Sequence, residues 1–113
     1  MFTRKDQQMH CVRAFMRGGK KQVQSVELST RLPDKVRQFS THTLVPGASI
    51  GYHTHRGETE LVYFMEGVCR VQDDDQVYYA SAGDSMVVQS GHSHGMENIG
   101  DSNLVLVCTI IRD

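Results

Sequence analysis

From residue 36 onward the chain falls into short apolar runs separated by glycine, proline and aspartate, a punctuation that predicts strands and turns. Residues 36–45 (VRQFSTHTLV) are rich in threonine and β-branched side chains and read as a strand closed by Pro46-Gly47. Residues 50–55 form the next strand. Residues 61–65 (LVYFM) make a nearly continuous apolar run, the pattern of a strand buried on both faces. By alternation Glu60, Val62 and Phe64 share one face of it. Residues 68–72 and 76–79 flank Asp73-Asp74-Asp75 and predict a hairpin. An acidic run at such a tip reads as a solvated turn and not as a cation site. Residues 86–88, the stretch carrying His94, Met96 and Asn98, and residues 104–111 (LVLVCTII) complete the series, the last again read as buried on both faces. The beginning of the chain is less regular. Residues 9–16 predict a short strand, 17–20 a loop, 22–31 a strand or a helical turn, and 32–35 a turn. No stretch has convincing helical periodicity. The expectation is an all-β sandwich or barrel, with a core over residues 36–113 and a strand-and-loop extension, residues 1–35, packed on it.

Composition narrows the partners. At 113 residues the chain is one domain, short enough that a second subunit would help it bury a core. The apolar runs at 61–65 and 104–111 carry more hydrophobic surface than a lone barrel needs, so a homodimer is expected. Twelve basic and 13 acidic residues leave a net charge of −1, without the basic field that drives nucleic-acid binding. No apolar run approaches the ~20 residues of a membrane helix, and the first residues lack the apolar segment of a secretory signal. Cys11, Cys69 and Cys108 are odd in number and unpaired in spacing, which argues against a disulfide framework and for a reduced, cytoplasmic protein. Cys69 and Cys108 read as buried small hydrophobes.

Chemistry concentrates in two stretches. In residues 47–67, GASIGYHTHRGETELVYFMEG, His53 and His55 lie one residue apart and can aim two imidazoles at one point from the same face of a strand. Glu60 lies five positions beyond His55, an odd offset that would flip it, so the intervening residues must turn the chain and return Glu60 on the next strand. In residues 83–98, GDSMVVQSGHSHGMEN, His94 adds a third imidazole. Three nitrogens and a carboxylate without thiolate suit manganese, iron, nickel or zinc, with copper ranked behind them. Four ligands on an octahedral ion leave two positions for water or a small molecule. Each imidazole also needs a partner on its other nitrogen. The sequence does not say which groups serve. Glu58, two residues before Glu60, is a candidate base behind the ligands, although it reads more simply as a solvated loop carboxylate. His92 reads as a rim residue, Asn98 as the pin of a turn, and His10 and His42 as lying outside the site. Tyr52 and Tyr63 fall on the faces opposite the ligands. No arginine clamp is evident, Arg37 and Arg70 being the two that could reach the cavity.

The two stretches resemble the two motifs of the cupin superfamily. Gly47, His53-Thr54-His55, Glu60 and Gly67 match the first in every defining position, and Gly83, Gly91, His94 and Asn98 match the second. One position departs: Gln89 stands where the motif usually has proline, which should loosen a turn without touching the ligands. The resemblance implies a double-stranded β-helix, or jelly-roll, barrel with a metal held by His53, His55, Glu60 and His94, in a small single-domain bacterial cupin. It implies a small metal-dependent enzyme acting on a small organic acid or sugar-like compound, by dioxygenation, decarboxylation, isomerisation or lyase chemistry. A non-catalytic module that binds a small ligand or the metal itself is the alternative, and an inert structural metal a third. Fold alone does not choose among them.

Overall fold

The computed structural model describes residues 1–113. Ten strands follow one another: β1 (Met9–Ala14), β2 (Gln22–Glu27), β3 (Val36–Leu44), β4 (Ser49–Thr54), β5 (Glu58–Glu66), β6 (Val68–Asp73), β7 (Gln76–Ser81), β8 (Ser85–Val88), β9 (Ser93–Asn98) and β10 (Leu104–Arg112). Two short 3₁₀ turns, Lys5–Gln7 and Met16–Gly18, are the only helical pieces. The strands form two antiparallel sheets, in the orders β1-β2-β3-β10-β5-β8 and β4-β9-β6-β7. They face each other as a jelly-roll barrel, the double-stranded β-helix that the strand pattern and motif resemblance imply.

Alternation decides what lies inside. Leu104, Leu106, Cys108 and Ile110 point inward from β10, Val62 and Phe64 from β5, and Leu44 from β3. Cys69, Val71 and Met96 meet them from the second sheet, within one continuous core that excludes Ile110. The residues between them point out. Leu61, Tyr63 and Met65 are 39–49% exposed. The reading of 61–65 as buried on both faces is therefore corrected for the single chain, and 104–111 likewise has one inward face and one only partly covered. An apolar outward face has the same sequence whether or not a second subunit covers it.

The first 35 residues contribute a hairpin. β1 pairs with β2, and β2 pairs with β3 from Val23↔Leu44 to Glu27↔Ser40, which extends the first sheet at its edge. Residues 22–27 are thus a strand and not a helical turn. Val23 is fully buried in the core. β1 is exposed along its whole length. No helix of the chain is long and apolar enough to cross a membrane.

Candidate metal centre

The site lies between the sheets, because its parts come from both. β4 and β9 run antiparallel with His53 directly opposite His94, so two imidazoles leave the same face side by side. The pairing is irregular between Ile50 and His53, a bulge that re-aims the end of β4. His55 follows just beyond β4. Its backbone is gripped by the loop before β9, with His55 N–H donating to the His92 carbonyl (3.0 Å) and Gly91 N–H donating to the His55 carbonyl (2.6 Å). That loop closes on itself through His92 N–H to the Gln89 carbonyl (3.0 Å), so glutamine in place of proline still forms the turn. Glu60 arrives from the other sheet, on β5, opposite Ile110 and Val88.

Four side chains converge. One ligand atom from each of His53, His55, Glu60 and His94 lies within 4.8 Å of the others, in a group that could hold a metal ion. His55 Nε2 is 3.2 Å from the Nε2 atoms of His53 and His94 and 3.2 Å from Glu60 Oε1. His94 Nε2 is 2.8 Å from the same carboxylate oxygen. Neighbouring ligands on an octahedral ion with bonds of about 2.1 Å stand about 3.0 Å apart, so these separations fit a shared cation. The proton positions agree. His53 Nδ1–H donates to the Gly51 carbonyl (2.7 Å) and His55 Nδ1–H donates to a Glu58 carboxylate oxygen (2.7 Å). Both rings then turn a bare Nε2 lone pair inward, and two lone pairs 3.2 Å apart repel unless a cation or a proton stands between them. His94 Nδ1 is buried with no hydrogen-bond partner, so this ring is oriented by packing and by its Nε2 contact with Glu60.

Charge in the cluster follows the same logic. Burial opposes the Glu60 charge, yet with protons instead of a cation on the inner nitrogens the hydrogen bonds that His55 and His94 donate through Nε2 outweigh it and hold the carboxyl at about 2. His55 is raised, chiefly by its bond to Glu60 and against the pull of burial. His53 is lowered to about 4, first by burial, with the nearby Arg17 guanidinium adding to the effect. Cys108 is buried beside Glu60, and burial first, then that carboxylate, pushes its thiol up.

Glu58 corrects the sequence reading. It is not a solvated loop carboxylate. It takes the His55 Nδ1 proton bond on one side and a bidentate pair from Arg37 Nε and Nη2 (2.9 and 2.8 Å) on the other. This Arg37–Glu58–His55 chain sets the ring's orientation and tautomer. The cluster opens into a cavity of about 40 Å³ that Arg13, Arg17, Arg37, Gln38 and His42 also line. Sequence reasoning missed most of these residues. His42, set aside as remote, is buried between Ser25 Oγ (2.7 Å) and Gln38 Nε2 (3.1 Å), and burial lowers its pKa to about 4. Arg70 lines a separate groove on the outside of the second sheet, with Tyr52 and Asp74. That groove is far larger, about 500 Å³, but contains none of the four converging residues; chemistry, not volume, locates the site. Asn98 pins a turn, donating to the Leu44 and Ser102 carbonyls. His92 sits on the rim, 2.6 Å from Asp74, and that contact is the structural use of the aspartate run. The cavity has sequence signals too sparse to find: single arginines in an irregular segment.

Comparison with known proteins agrees with this geometry. The family model described as Cupin domain matches residues 40–110. A protein of Thermotoga maritima named oxalate-binding protein is 37% identical over 98 residues, covering 85% of this chain and 81% of its own length. A Thermotoga maritima crystal structure described as a predicted oxalate decarboxylase is similar with a TM-score of 0.93 and 33% identity, over 100% of both chains. A germin-like protein of Morus alba is 40% identical over 65 residues, 53% of this chain and 31% of its own.

Proposed function

This chain belongs to the cupin family, and from that premise we propose that it holds a divalent transition metal through His53, His55, Glu60 and His94 and binds a small organic acid against it. The observation that carries the reading is the convergence of imidazole nitrogens and a carboxylate oxygen at 2.8–3.2 Å. Manganese, iron, nickel and zinc all suit that donor set, with copper behind them. A bound ion would supply Lewis acidity at its open positions. The protein does the rest. Glu60 offsets part of the ion's charge. Arg37 and Glu58 keep the His55 proton on Nδ1, so that Nε2 is free. The core residues around the cluster exclude bulk water.

Size supports a small acid over a sugar-like compound. A cavity of about 40 Å³ is equivalent to about three water positions, well under the ~300 Å³ of a typical ligand pocket. The name of the Thermotoga maritima relative, oxalate-binding protein, supports the same class. The test begins with metal content per chain on protein purified without an affinity tag or chelator, beside His55→Ala. Calorimetric titration with oxalate follows, on metal-loaded and metal-stripped protein. Near-stoichiometric metal that drops in the variant, and oxalate heat only in the loaded form, are expected. Failure to take up metal at neutral pH, or equal oxalate binding without it, sinks the reading.

Catalysis on the bound acid is the second reading, and a specific observation favours it. His53, His55 and Glu60 line the cavity, so one side of the cluster is open to it, where an acid bound to the ion would be exposed to reaction. Formate and CO₂ released from oxalate by the loaded protein, and not by His55→Ala, would establish it; oxalate recovered unchanged would leave a binding module.

We also propose a homodimer, supported by the apolar outer face at Leu61, Tyr63 and Met65. A cytoplasmic location is proposed on the three free thiols, Cys11, Cys69 and Cys108.

A further inference from the structure

Two arginines at the cavity belong to no part of the chemistry assigned so far. Arg13 and Arg17 line the same small space as His53, His55 and Glu60, and both come from residues outside the matched family segment, 40–110. Their neighbour Arg37 is neutralised by its bidentate pair with Glu58. Arg13 has only a distant partner, Glu27 at 3.9 Å, and Arg17 forms no salt bridge. Two positive charges therefore stand at the mouth of a site with little to compensate them.

The backbone that presents them is built for its place. Between β1 and β2 the chain crosses β4 so closely that a Cβ at Gly19 would lie 2.1 Å from the Ser49 carbonyl oxygen, and one at Gly51 would lie 2.1 Å from the Arg17 carbonyl oxygen. Glycine at both positions is what lets the two segments touch. Ser49 N–H donates to the Lys20 carbonyl (3.0 Å), Lys20 N–H to Ser49 Oγ (2.8 Å), and Lys21 Nζ to the Pro46 carbonyl (2.9 Å). Lys20 also pairs with Glu97 at 3.1 Å. Phe15, Arg17 and Lys21 all have positive φ, 52°, 54° and 59°, which non-glycine residues adopt rarely. A surface hairpin has no need of three such residues; a hairpin whose tip must be fixed against β4 does.

We infer that the tip of the β1–β2 hairpin is the anion-recognition half of the site, with Arg13 and Arg17 clamping the outer carboxylate of a small dicarboxylate whose inner carboxylate faces the His53, His55, Glu60 and His94 cluster. The inference rests on the metal-and-acid reading above and adds the class of acid to it. Charge selects that class. A divalent ion with Glu60 and neutral imidazoles carries one net positive charge, which a monocarboxylate would cancel, leaving both arginines unanswered. A dianion engages both ends. Guanidinium is suited to the outer end because its parallel N–H groups match a carboxylate. The small cavity limits the dianion to a short one.

The test is calorimetric titration of metal-loaded wild type, Arg17→Met and Arg13→Met with oxalate, malonate and acetate, with metal content measured on each sample. Both variants change exposed side chains and should fold. The expected result is a dicarboxylate preference in the wild type, a roughly ten- to hundredfold weaker oxalate affinity in Arg17→Met, a loss of the same sign in Arg13→Met, and unchanged metal content and acetate affinity. Oxalate affinity equal to wild type in both variants overturns the clamp and leaves the metal-and-acid reading standing. A loaded wild type that binds none of the three acids overturns both.

Discussion

Replacing Glu58 by glutamine tests the orientation of the metal centre through a single atom exchange. Glu58 is a double acceptor: it takes the Nδ1 proton of His55 at 2.7 Å and two guanidinium protons of Arg37 at 2.9 and 2.8 Å. Glutamine has one acceptor oxygen and one NH₂ group. If the oxygen stays on His55, the NH₂ faces Arg37, donor against donor. If the oxygen turns to Arg37, the NH₂ faces His55 Nδ1, and the imidazole must move its proton to Nε2, the nitrogen needed for the metal. Either outcome costs about 1–3 kcal/mol. Loss of such a partner behind a ligating histidine typically weakens metal binding about 10- to 100-fold, equivalent to about 1.4–2.8 kcal/mol. The two estimates agree. The assay is competition for Mn²⁺ between stripped, refilled protein and a fluorescent chelator, at pH 7.5, with the thermal midpoint of the metal-free form as a control for folding. Arg37→Met should lose less, because it leaves the Glu58–His55 bond intact. A Glu58→Gln protein that binds Mn²⁺ within twofold of wild type would refute the reasoning, and Glu58 would then be a structural partner of Arg37 alone.

Other consequences follow from particular contacts. His42 binds its proton near pH 4 when folded, against 6.5 ordinarily. Between those values the unfolded chain holds more protons, so stability is complete above about 6.5 and falls as pH drops towards 4, by up to about 3 kcal/mol. Urea unfolding at pH 7 and pH 4.5 should show a smaller drop for His42→Gln than for wild type, and equal drops would dismiss this source. Asn98→Ala removes three hydrogen bonds, to the Leu44 and Ser102 carbonyls and from Gly100 N–H; a loss of roughly 3 kcal/mol is expected in urea unfolding, and a loss under 1 kcal/mol would contradict the turn-pinning role. Leu61→Lys with Tyr63→Lys should convert a dimer to a monomer in sedimentation velocity, while a wild type that sediments as a monomer at working concentration removes the dimer altogether.

The sequence by itself determined the strands from residue 36 onward and the four residues that converge. The physical reason is that both signals are local. Strand alternation puts His53 and His55 on one face, the odd step to Glu60 requires a turn, and the glycines bracketing the first stretch, Gly47 and Gly67, mark where the chain reverses. The inward set on β5, Glu60, Val62 and Phe64, was legible on the same ground, and each is buried.

Tertiary structure alone decided the rest, because it depends on which distant segments become neighbours. Glu58 read as a loop carboxylate because the arginine that holds it lies 21 residues earlier, on a strand two places away in the sheet. His42 read as isolated because Ser25 and Gln38 reach it through the β2–β3 register and the alternation of β3. The apolar runs at 61–65 and 104–111 read as two-sided because hydrophobicity along a strand does not say what covers its outer face. Arg13 and Arg17 left no pattern at all: their place at the cavity is created by Gly19 and Gly51 meeting backbone to backbone, a contact between segments some 30 residues apart.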